Sequence, residues 1–162
     1  MIIILKELDS KIIKKARLVV LGLGVLVSWN DTTRAFLRFY QYEGTIFKIK
    51  DCVLPNPVTT PCFWGALAFA GSLIWAYKLY KNKNKDWEKY LFYFLIGSVI
   101  FAWSNFAIEL KGVTSPEGAL LAPCPVTAPS PFLSACFFGS ILFTLALFSS
   151  YVISKSPARE QE

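Results

Sequence analysis

The residues best suited to chemistry are the four cysteines, which fall into two pairs, Cys52 with Cys62 and Cys124 with Cys136. Each pair lies in a proline-rich stretch. Asp51-Cys52-Val53-Leu54-Pro55-Asn56-Pro57 leads to Thr60-Pro61-Cys62, and Pro123-Cys124-Pro125 leads through Pro129 and Pro131 to Ser134-Ala135-Cys136. Sulfurs in such pairs either staple a chain or exchange disulfides with another molecule. The simplest connectivity is Cys52–Cys62 and Cys124–Cys136. Four cysteines allow three connectivities, and a pairing between the two stretches is equally legal.

The second cysteine of each pair has a particular address. Thr60 and Ser134 are hydroxyl residues suited to an N-cap, Pro61 and Ala135 suit the first helical position, and the thiol follows at the second, ahead of an apolar run. The unpaired N–H groups and the positive dipole end of a helix stabilise a thiolate at that position. The same place also suits an inert disulfide that clamps a loop to its helix, so structural and exchangeable bridges both remain open.

The elements that must position these sulfurs are helices in a membrane. Hydrophobic residues make up 54% of the chain and aromatic residues 16%, more apolar surface than a soluble domain of 162 residues can hide. Residues 18–30, 52–77, 90–108 and 118–154 contain no acidic or basic side chain, and a spanning helix needs roughly 20 apolar residues. Sliding the sequence on itself by 74 positions pairs Trp29 with Trp103, Glu43-Gly44 with Glu117-Gly118, Pro55 with Pro129, and Pro57 with Pro131. It also pairs Cys62-Phe63 with Cys136-Phe137, Gly65 with Gly139, Phe69 with Phe143, and Tyr77 with Tyr151.

These observations predict an all-α integral membrane four-helix bundle built from two tandem helical hairpins, repeat one at about 16–80 and repeat two at about 90–154. The expected helices run over about 16–36, 61–79, 90–110 and 135–154, with outer loops over about 38–60 and 111–133. An even number of helices per copy puts the pseudo-twofold axis along the membrane normal. Of the 17 lysines and arginines, 12 fall in the first seventeen residues, in the Lys78 to Lys89 connection, or in the tail. That asymmetry predicts cytoplasmic termini and extracytoplasmic cysteine loops. The net charge of +6 is explained by this orientation and by contact with a lipid bilayer, not by nucleic acid.

With four helices and a cysteine pair in each outer loop, the chain resembles the quinone-linked thiol oxidoreductases of the DsbB and vitamin K epoxide reductase group. The local echo is Asp51-Cys52-Val53-Leu54, and the Cys-x-x-Cys motif of that family is missing. The resemblance implies that Cys62 or Cys136 is the sulfur next to a quinone and that Cys52 or Cys124 exchanges disulfides with an extracytoplasmic thiol protein. Phe63, Trp64, Trp103 and Arg34 would then form the quinone environment.

Polar groups inside a membrane are costly and are usually paired or functional. Asp31 aligns with Asn105 under the 74-residue shift, and Arg34 follows Asp31 on the same helical face. Two readings stand: a polar site on the pseudo-twofold axis, or a local Asp31–Arg34 ion pair beside an anchoring tryptophan belt. The chain has no histidine, which removes imidazole bases and histidine metal sites, and no metal is expected. Three functions follow: an extracytoplasmic thiol–disulfide oxidoreductase linked to a quinone, a non-enzymatic subunit of a membrane complex with stapled outer loops, or a small transporter or channel.

Overall fold

The computed structural model describes residues 2–45, 56–82, 85–114, 132 and 134–155. Among them the chain is entirely helical: α1 runs Ile2–Glu43, α2 Pro61–Lys81, α3 Lys85–Thr114 and α4 Ala135–Lys155, with a 3-10 turn at Pro57–Thr59 ahead of α2. Cys52 and Cys124 lie outside the described residues.

Two helices are longer than their apolar stretches predict. α1 has 42 residues where the sequence suggests about 16–36, and α3 has 30 where it suggests about 90–110. Hydropathy measures how much of a helix suits lipid, whereas helix length is set by where the backbone pattern stops. The lysine-rich start of α1 holds neither proline nor glycine, so nothing breaks it. Its end is a glycine: Gly44 takes a φ of 66° and its N–H bonds back to the carbonyl of Tyr40 at 2.9 Å, the left-handed cap that a side chain would resist. α2 opens with Pro61 at its first turn and closes with Lys78 and Lys81 against the negative end of its dipole.

Three helices are long and apolar enough to cross a membrane: Pro61–Lys81, Asp86–Ile108 and Ala135–Ser154. Only 28%, 22% and 22% of those windows is buried inside the protein, so most of their apolar surface faces outward. Trp64, Ile74, Ile100 and Phe148 are among the exposed side chains. In water such a surface would drive aggregation, and in lipid it is solvated. The chain is therefore a membrane protein. α1 is long enough to span but carries Asp31 and Arg34 just beyond its apolar run, and it is not among these three helices.

All four helices contribute to one core, through Leu21 of α1, Phe69, Ala76 and Leu79 of α2, Leu91 and Leu95 of α3, and Phe143 and Ala146 of α4. α1 packs along α2 and α4, and α3 packs along α4 and more lightly on α2. Lipid is as apolar as a leucine side chain, so hydrophobic burial does not drive this association. Close packing does, and small residues permit it. Ala66, Ser72, Ser140, Ala146 and Ser150 are fully buried at the helix contacts.

One buried charge ties three helices together. Arg17 of α1 is 1% exposed and forms an ion pair with Glu88 of α3. Its Nη2 donates to Glu88 Oε2 at 3.2 Å, and its Nη1 donates to Glu88 Oε1 and, at 2.9 Å, to Ser150 Oγ of α4. Sequence reading places Arg17 only as one of the basic residues that orient the chain.

Candidate functional site

The starts of α2 and α4 come together, and this brings the two helix-initial cysteines into contact. Cys62 Sγ and Cys136 Sγ lie 3.9 Å apart, 74 residues from one another in sequence. That separation is van der Waals contact, about twice the length of a disulfide bond. The two caps behave differently. Ser134 accepts the Phe137 N–H on its Oγ at 3.3 Å, as an N-cap should. Thr60 makes no side-chain cap, because its hydroxyl donates to the carbonyl of Pro57 at 2.6 Å and fastens the 3-10 turn to the start of α2.

Beneath the sulfurs is a narrow, half-open cleft between the helices, with a cavity volume of about 50 Å³. Its lining includes Ser28 and Ala102, Asp31 and Asn105, Pro61 and Ala135, Cys62 and Cys136, Gly65 and Gly139, and Phe69 and Phe143, each pair separated by 74 residues. Phe101 is the one lining residue whose counterpart is elsewhere. Deeper in, the Phe69 and Phe143 rings stack face to face, with centroids 3.7 Å apart and planes 10° apart. Cys62, Gly65 and Phe69 share one face of α2 at spacings of three and four, as do Cys136, Gly139 and Phe143 on α4.

The cleft is mostly apolar, with few polar groups left to address a ligand. Ser28 Oγ donates to the carbonyl of Gly24 at 2.7 Å, and Asn105 Nδ2 donates to the carbonyl of Phe101 at 2.7 Å, so both are partly committed to their own helices. Asn105 keeps a second amide hydrogen and its oxygen. Asp31 is half-buried on the lining. The local Asp31–Arg34 ion pair does not form among the described residues; the pair that does form is Arg17–Glu88. Arg34 is exposed and off the cleft lining, where its guanidinium can keep its hydration, while Asp31 belongs to the cleft.

Of the cysteines singled out by sequence, Cys62 and Cys136 are brought together, and the proposed partners of each, Cys52 and Cys124, lie outside the described residues. The aromatic residues expected around a quinone are not on the cleft lining. Phe63 meets Phe36 and Trp64 edge-on, with centroids 6.0 and 5.9 Å away. Trp64 is exposed, and Trp103 donates its Nε1–H to Thr144 Oγ1 at 3.1 Å on the outer face. Phe69, Phe101 and Phe143 take their place. Their signal was available in the seven-residue step from each helix-initial cysteine to a phenylalanine, repeated in α2 and α4.

Comparison of the chain with protein-family models, with curated proteins and with solved structures gives no match.

Proposed function

We propose that the protein is an extracytoplasmic thiol–disulfide oxidoreductase of four membrane spans, two tandem hairpins with the Cys62–Cys136 sulfurs and their cleft on the pseudo-twofold axis. α1 is the fourth span: its Arg17 charge is neutralised by Glu88 of α3. The lysine-rich ends are cytoplasmic, and the cysteine loops face out.

The observation that carries this reading is the 3.9 Å approach of two sulfurs from opposite halves of the chain above a mostly apolar cleft. In the chemistry proposed, a disulfide in the protein takes two electrons and two protons from a dithiol partner, whose own thiols join as a disulfide. The resulting Cys62 and Cys136 thiols then lose two electrons and two protons to a quinone, which leaves as the quinol, and the S–S bond closes again. At the open side of the cleft a quinone ring would meet Phe101 beside the Phe69–Phe143 stack, and the free hydrogen on the Asn105 amide can meet a carbonyl oxygen. Cys52 and Cys124, which the charge asymmetry assigns to the outer loops, would meet the partner as a disulfide, and the thiols so formed would then reduce a Cys62–Cys136 disulfide by exchange, closing their own S–S bond again. The resemblance to the DsbB and vitamin K epoxide reductase group supports the same division of labour.

The same sulfur contact favours a second reading, a static Cys62–Cys136 staple in a non-enzymatic membrane subunit. Purification of the full chain with lipid extraction and differential thiol alkylation separates the two. A redox protein carries or accepts quinone, shows a thiol state that follows quinone supply, and traps a mixed disulfide when Cys52 or Cys124 is replaced by serine. Cysteines locked as disulfides under every growth condition, with Cys→Ser variants losing only stability, leave the staple.

A further inference from the structure

Removing two electrons from two thiols also requires moving two protons, and the cleft contains one group suited to move them. Among the described lining residues Asp31 is the only carboxylate, and the other titratable groups there are Cys62 and Cys136 themselves. The Asn105 amide can orient a ligand but neither takes nor releases a proton near neutral pH, and the Ser28 hydroxyl is spent on the Gly24 carbonyl. A carboxylate inside a membrane protein is costly unless it is paired or used, and Asp31 has no ion-pair partner among the described residues. The N-terminal ends of α2 and α4 border the same cleft.

Resting on the redox reading above, we propose that Asp31 is the proton-transfer residue of the cleft, accepting the proton of a Cys62 or Cys136 thiol as the disulfide forms and releasing it to the oxygen of the electron acceptor. Two S–H bonds break and one S–S bond forms, and both electrons and both protons end on the acceptor. Because Asn105 occupies the position related to Asp31 by 74 residues on the opposite side of the cleft, the carboxylate can serve from either side. Half of the site carries an acid and the other half an amide of the same shape.

The test uses the purified full-length protein, reduced and then mixed with a short-chain ubiquinone analogue, with disulfide formation read by alkylation and mass. Asp31→Asn is expected to slow quinone-dependent oxidation by about 100-fold or more, the typical range of acid–base catalysis. Asp31→Glu, and the exchanged pair Asp31→Asn with Asn105→Asp, should recover most of that loss. Thermal stability should be unchanged in Asp31→Asn, and oxidation of the same thiols by diamide, which needs the thiol proton removed but none delivered to an acceptor in the cleft, should slow less than oxidation by quinone. If Asp31→Asn keeps the wild-type quinone rate, Asp31 does not carry the proton; if it slows diamide and quinone alike, Asp31 does not deliver the proton to the acceptor, and the proposal fails. If wild-type protein is oxidised by diamide and not by quinone, the redox reading itself falls and this inference with it.

Discussion

Arg17 and Glu88, 71 residues apart, form a buried ion pair through both terminal guanidinium nitrogens, with Ser150 as a third partner. Arg17 Nε is left without a hydrogen-bond partner, so the pair is not fully satisfied. Its energetics are asymmetric. Removing one member strands a charge where water is scarce, which costs about 3–5 kcal/mol, while replacing both with apolar residues is often close to neutral. Glu88→Ala and Arg17→Leu should therefore each lower the unfolding temperature strongly in detergent. The double variant Arg17→Leu with Glu88→Leu should regain most of the loss, and Ser150→Ala should cost only about 1–3 kcal/mol, the value of one hydrogen bond to a charged group. Equal, additive losses in a double-mutant cycle would show that the pair is not coupled.

The Phe69–Phe143 stack depends on a glycine in a third helix. A Cβ at Gly24 would stand 2.3 Å from Phe69 Cε1 and 2.4 Å from its Cδ1, on the rigid part of the ring, whereas a Cβ at Gly22 meets nothing within 4 Å. Gly24→Ala should therefore destabilise by about 1–3 kcal/mol through overpacking. Gly22→Ala should be neutral or stabilising by up to about 1 kcal/mol through helix propensity. Thermal unfolding of the two variants side by side checks this, and Phe69→Leu should partly rescue Gly24→Ala by vacating the ring. A Gly22→Ala loss as large as that of Gly24→Ala would remove Phe69 as the cause.

The helical class and the membrane setting were legible because both follow from local features: charge-free apolar runs, Pro61 opening α2 and Ser134 just before α4. The Arg17–Glu88 pair was not, since nothing local tells which of several basic residues at the start of α1 turns inward and which stays with water. That choice is made by the helix contacts, which put Ser150 and Glu88 against one face of α1. The cysteine contact was only half legible. The 74-residue shift aligns Cys62 with Cys136, but an alignment does not say that two residues touch. They touch because their helices start at the same level against one another. The aromatic residues nearest the cysteines in sequence were the natural choice for a ligand environment, yet Phe63 and Trp64 follow Cys62 by one and two positions and so point away from its face, whereas Phe69, seven positions on, shares it.

The contact between Cys62 and Cys136 makes a covalent prediction that is independent of any ligand. With Cys52 and Cys124 both replaced by serine, mild oxidation in detergent should join Cys62 to Cys136 within one molecule, because the sulfurs are already 3.9 Å apart. The bridge would close a loop of 74 residues, and constraining a loop of that length in the unfolded chain stabilises by about 4 kcal/mol on the entropic account. The oxidised double variant should therefore unfold several degrees above its reduced form, by an amount that falls if the bridge strains the helix starts. Peptide mapping under non-reducing conditions identifies the bond, and dilution distinguishes it from a link between molecules. Failure to form it in the folded protein, or formation only after partial unfolding, would mean that the two helix starts do not meet in the membrane, and the shared cleft would lose its upper wall.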